Sequence, residues 1–77
     1  MKKREIGVVV TFYTTAAAME WEAACRAAGI EGKLISTPRE FSADCGIAWR
    51  SPAGYRETLE TLAGEQKLET ERICEER

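Results

Sequence analysis

Ile6–Gly29 reads IGVVVTFYTTAAAMEWEAACRAAG, and the change of period inside this stretch decides the fold. Its first part, Ile6–Tyr13, is a continuous run of β-branched and aromatic side chains. A strand with one wet face would alternate apolar and polar residues, so this one is expected at the centre of a sheet, buried on both faces. Thr14 or Thr15 then offers a hydroxyl that can cap a helix. The alanine-rich segment after it carries the helix to Gly29, a residue suited to a left-handed helix exit. Within that helix Trp21, Ala24, Cys25 and Ala28 fall at i, i+3, i+4 and i+7, and Ala18 extends the same face one turn earlier. This stripe should be the buried one, which makes Cys25 a small packed side chain.

Downstream, Lys33–Thr37 (KLIST) reads as a short second strand stopped by Pro38. Ile47–Ser51 reads as a third, with Ile47 and Trp49 on one face and Ala48 and Arg50 on the other. Pro52 and Gly54 open a second helix in which Tyr55, Leu59, Leu62 and Ala63 recur at helical spacing, and Gly64 is expected to close it. The tail from Lys67, KLETERICEER, alternates imperfectly, because Ile73 falls on the side of Glu69, Glu71 and Glu75. A charged edge strand and a frayed helix both fit it. The order β-α-β-β-α, completed by a fourth strand, specifies an α+β ferredoxin-like sandwich: one domain over residues 1–77, with two helices on one face of a four-stranded antiparallel sheet. That fold hosts many unrelated activities, so function has to be sought in particular side chains.

Seventy-seven residues leave no room for a deep enclosed active site. A net charge of −2 offers nothing to nucleic acid, which would require a clear basic surplus. The charge is uneven: Lys33–Arg56 carries four cations against two anions, whereas Glu57–Arg77 carries seven glutamates against three cations. The chain has no histidine, which removes the usual general base and disfavours a Ser-His or Cys-His hydrolase. Cys25, Cys45 and Cys74 match no zinc spacing, and their odd number does not describe a disulfide scaffold. Neither a metal nor a cofactor is therefore expected, and reduced thiols in a cytoplasm fit best. The basic start and apolar run resemble an export signal superficially, but Glu5 and the threonines interrupt it. The run is also too short to span a bilayer, so no membrane association is expected.

The segment Thr37–Arg50, TPREFSADCGIAWR, sets Cys45 apart from the other two thiols. Cys45 sits between Asp44 and Gly46 in the most loop-like part of the chain. Gly46 removes a side chain beside the sulfur and lets another molecule approach. Arg39 lies six positions before it and Arg50 five after it. Lowering a thiol pKa from about 8.5 to about 7 takes roughly 2 kcal/mol of preferential anion stabilisation. One guanidinium about 4 Å away supplies between roughly 1 and 4 kcal/mol, depending on solvent exposure. Asp44 acts in the opposite sense. On these residues alone, a reactive thiol and a small residue tucked under a turn both remain open. Arg39 and Arg50 also read as solubilising charges, and Ser42 as a turn cap.

At this segment the sequence resembles the selenium/sulfur (Se/S) carrier protein-like family of short bacterial proteins. The likeness runs over nearly the full chain: an opening strand ending in a threonine pair, an AAG-I helix exit, and the pattern TPR…S…CG…A.R. The resemblance implies that Cys45 is the carrier thiol, with Gly46 giving access and Arg39, Ser42 and Arg50 forming its surroundings. It implies a carrier rather than a turnover enzyme, holding sulfur or selenium as a persulfide or selenopersulfide between a donor protein and an acceptor enzyme. Trp21, Trp49 and the glutamate-rich tail depart from the expected pattern and bear on which partners dock. Cys74 becomes a resolving thiol if the fold brings it to Cys45. Two other readings stand beside this one. One is a non-catalytic interaction or regulatory module with a structural cysteine, for which a homodimer is a candidate assembly. The other is a small-anion binder using Arg39 and Arg50.

Overall fold

The computed structural model describes residues 7–38 and 46–75. Five consecutive buried residues form β1 (Gly7–Thr11), and α1 (Thr15–Ala28) follows after a three-residue turn. Next come β2 (Lys33–Ser36) and β3 (Ile47–Pro52), then a single 3₁₀ turn (Ala53–Tyr55) that leads into α2 (Arg56–Glu65). The last element is β4 (Arg72–Glu75). The strands lie in the order β2-β3-β1-β4, every neighbouring pair antiparallel, with both helices on one face. This is the α+β sandwich that the order of elements specifies, and β1 is central, as its apolar run requires.

Pairing of Val10 with Trp49 and of Val9 with Arg50 sets which residues share a face. Val8, Val10, Phe12 and Trp49 turn to the helices and join Trp21, Cys25, Leu59 and Leu62 in the core. Phe12 and Trp21 meet with ring centroids 6.0 Å apart and planes tilted by 57°, an arrangement aromatic quadrupoles favour. Val9, Thr11 and Ala48 occupy the other face and are also buried. Trp49 carries a polar group into the core, and Ser51 satisfies it. The indole Nε1 donates to Ser51 Oγ at 2.7 Å, and that hydroxyl donates to the Glu31 carbonyl at 2.7 Å. The chain of bonds fastens β3 to the α1–β2 connection. Gly32 is needed beside it: a Cβ there would lie 2.6 Å from the Arg50 carbonyl, Ser51 Oγ and the Trp49 ring.

The helix ends follow local chemistry. Thr14, not Thr15, is the cap of α1, its Oγ1 accepting the Ala17 N–H at 3.1 Å. Gly29 closes the helix at φ 74°, and the Ile30 N–H returns to the Cys25 carbonyl at 2.9 Å. The buried stripe holds for Ala18, Trp21 and Cys25; Ala17 joins it, while Ala28 is exposed because the last turn runs past the core. Gly64 does not close α2. The helix continues to Glu65, and the chain reverses at Lys67, which takes φ 53° while Leu68 N–H reaches the Ala63 carbonyl at 3.0 Å. The tail resolves as the charged edge strand. Ile73 packs against the core, and Glu75, on the same side, reaches Arg56 at the start of α2 at 3.5 Å. An edge position leaves Glu69 and Glu75 exposed to solvent, while Glu71 is half-buried, which is why the imperfect alternation is tolerated.

Candidate functional site

Cys45, Arg39 and Ser42 lie outside the described residues, so the site is approached through its two anchors. β2 and β3 pair as far as Ser36 opposite Ile47, and the Thr37 N–H then donates to the Gly46 carbonyl at 3.0 Å. This bond pins both ends of the 38–45 connection. Gly46 adopts φ 74°, a conformation glycine reaches without steric cost, and among the described residues no atom beyond its chain neighbours lies within 4 Å of where a Cβ would stand. Its surface is exposed.

The register also fixes what shares this end of the sheet. Thr11, the last residue of β1, pairs with Ala48 near the start of β3, and the Glu71 N–H donates to the Thr11 carbonyl at 2.7 Å just before β4 begins. Since α1 follows β1 directly, its N-terminus lies at the same end as Gly46. The first turn of α1 contains no acidic residue, so the positive end of its dipole is not offset there. Tyr13, in the turn between β1 and α1, and Met19, on α1, are the exposed large apolar side chains among the described residues.

Arg50 is half-buried on the face away from the helices. Its guanidinium extends over Gly7, where an added Cβ would come within 2.8 Å of Nε. Gly7 pairs with Pro52, at the opposite end of β3 from Gly46. Of the two described members of the expected site, Gly46 therefore stands at the loop end of the strand, while the Arg50 charge points towards the other end.

The two described thiols differ sharply. Cys25 is 0% exposed among core side chains, and burial pushes its pKa up to about 11. Such a sulfur is a packed hydrophobe at neutral pH. Cys74 is half-buried in β4 opposite Val9, so it lies on the face of the sheet away from the helices, while Cys25 lies between α1 and the sheet. Among the described residues no group of three or more carboxylates and thiols is placed to hold a metal ion. Nor is any helix among them long and apolar enough to cross a membrane. The Trp49–Ser51–Glu31 bonds and a groove between the helices were not read from sequence, since each joins residues from separate elements.

Topology and layering define the class: a ferredoxin-like α+β sandwich with two helices on one side of the sheet. Within that class the chain belongs to the family described as "Putative Se/S carrier protein-like", whose model matches residues 7–75, a span that includes the Cys45 segment. Neither curated proteins nor solved structures give a match.

Proposed function

We propose that this protein is a sulfur or selenium carrier that holds the chalcogen on Cys45. The observation that carries the reading is the family match, whose span of residues 7–75 includes TPREFSADCGIAWR. Chemistry supports it from the other side. Cys25 is sealed, with a pKa raised to about 11, so it cannot serve as an accessible nucleophile near neutrality. Gly46, next in the chain to Cys45, is exposed, and none of the described residues beyond its neighbours crowds its Cα. The N-terminus of α1, at the same end of the sheet, favours negative charge.

In the proposed step, the Cys45 thiolate attacks the terminal sulfur of a donor persulfide. A new Cys45 S–S bond forms, the donor's S–S bond breaks, and the donor leaves as a thiolate. A nucleophile on the acceptor then attacks the terminal atom and releases Cys45 as the thiolate. The transfer has no net redox change and uses no metal or histidine; selenium follows the same course as a selenopersulfide. Donor and acceptor are proteins that dock at this end of the sheet. Arg39 and Ser42 are proposed to surround the thiol. Arg50 joins them only if its side chain swings from Gly7 towards the loop.

Incubation with a cysteine desulfurase and cysteine, followed by intact-mass and peptide mass spectrometry, tests the reading. A persulfide mapped to Cys45 and lost in Cys45→Ser is expected. An accessible Cys45 that takes no adduct would leave an interaction module with a structural cysteine.

A further inference from the structure

We propose that the groove between the C-terminal turn of α1 and α2 is a docking site for a basic amphipathic helix of a partner protein. The groove encloses about 440 Å³, with Ala28, Ile30 and Leu62 as its apolar floor and Thr58 and Thr61 on its wall. Ala28 is too short to close the gap, which is the local reason the space exists. Glu57 and Glu65 stand at the two ends of the α2 side. They lie eight positions apart in the helix, about 12 Å along the axis.

The cations of the helix layer are already engaged elsewhere. Arg26 pairs with Glu22 at 2.9 Å, and Arg56 pairs with Glu60 at 3.0 Å and with Glu75 at 3.5 Å. Among the described residues neither Glu57 nor Glu65 has a cation within ion-pair distance. The carbonyl end of α1 adds negative partial charge beside Ala28, and the threonine hydroxyls can accept hydrogen bonds from an ammonium or guanidinium group.

These features select one kind of occupant. An acidic segment would be repelled, and a purely apolar one would partly desolvate two carboxylates without pairing them. A helix with two cations eight positions apart and apolar residues between them on the same face matches the 12 Å spacing, and it fills the floor as helix-in-groove recognition requires. None of the groove residues belongs to the Cys45 segment, so this inference is independent of the carrier reading.

The test uses the full chain and an alanine-based helical peptide with two lysines eight positions apart and leucines between them on one face. Amide chemical-shift changes on titration should concentrate at Ala28, Ile30, Thr58, Thr61 and Leu62. A Glu57→Lys/Glu65→Lys variant, in which both exposed sites are reversed, should retain its melting temperature and bind at least about tenfold more weakly. The same peptide with glutamates for lysines should not bind. The proposal is overturned by no binding at millimolar peptide or by shifts centred elsewhere. It is equally overturned by unchanged affinity in the double variant, or by concentration-dependent shifts of these residues without peptide, which would assign the groove to a second copy of the chain.

Discussion

Alkylation of the native protein separates a carrier thiol from packed ones. At pH 7 a sulfur with a pKa of about 11 is thiolate in roughly one molecule in ten thousand, against about 3% for a free cysteine. Ionisation is the smaller part of the protection, because a less acidic thiolate is also a better nucleophile. Sealing matters more. Cys25 is 0% exposed, so iodoacetamide reaches it only when the domain opens. A domain of this length has a stability of at least about 4 kcal/mol at 0.05 kcal/mol per residue, which holds the open fraction to about one in a thousand. Pulse labelling followed by peptide mass spectrometry should therefore find Cys25 at least about a thousandfold slower in buffer than in denaturant. Cys45 should label at or above the rate of a free thiol peptide, and Cys45→Ser should leave the Cys25 rate unchanged. If Cys25 in the folded chain reacts within tenfold of its unfolded rate, the sealed-core argument is wrong. If Cys45 is slower than the peptide, the carrier loses its chemistry.

Alkaline stability checks the same burial by another route. The folded state raises the Cys25 pKa from an ordinary 9.0 to about 11, so the stabilisation from holding the thiol neutral is complete below pH 9 and disappears between pH 9 and 11. Denaturant midpoints across that window should fall by roughly 2–3 kcal/mol more in the native sequence than in Cys25→Ala; parallel curves would refute it. Ser51→Ala leaves the Trp49 Nε1 donor and the Glu31 carbonyl without partners, at a cost of about 2–4 kcal/mol. That should lower the melting temperature by roughly ten degrees or more, and a drop below about three degrees would mean water replaces the hydroxyl. Gly32→Ala places a methyl 2.6 Å from the Arg50 carbonyl and should cost about 1–3 kcal/mol in chemical denaturation, whereas Gly64→Ala, with no described residue beyond its own helix within 4 Å, should not destabilise.

The residues show why some features were legible and others were not. β1 was readable because Val8-Val9-Val10-Thr11-Phe12, all β-branched or aromatic, leave no wet face, and α1 because a threonine cap, an alanine run and Gly29 bracket one helical stripe. The end of α2 misled because a glycine near a helix end usually stops it. Here the reversal falls on Lys67, where Gln66 and Leu68 N–H groups take up the last carbonyls. The tail stayed ambiguous until Ile73 could be placed against the core. At the candidate site, the family pattern and the residue types around Cys45 are visible in the chain order. The direction of the Arg50 guanidinium is not, since it depends on the empty space over Gly7 on a neighbouring strand.

Sequence by itself determined the first five elements, the central strand and the glycine exit of α1, because each is set by side chains within a few residues of one another. Tertiary structure alone decided that the α1 N-terminus and Gly46 share one end of the sheet, that Cys25 is sealed, and that among the described residues Glu57 and Glu65 have no cation partner beside an open groove. Those outcomes depend on strand register and on which surfaces meet, and side chains far apart in the chain acquire such relations only on folding.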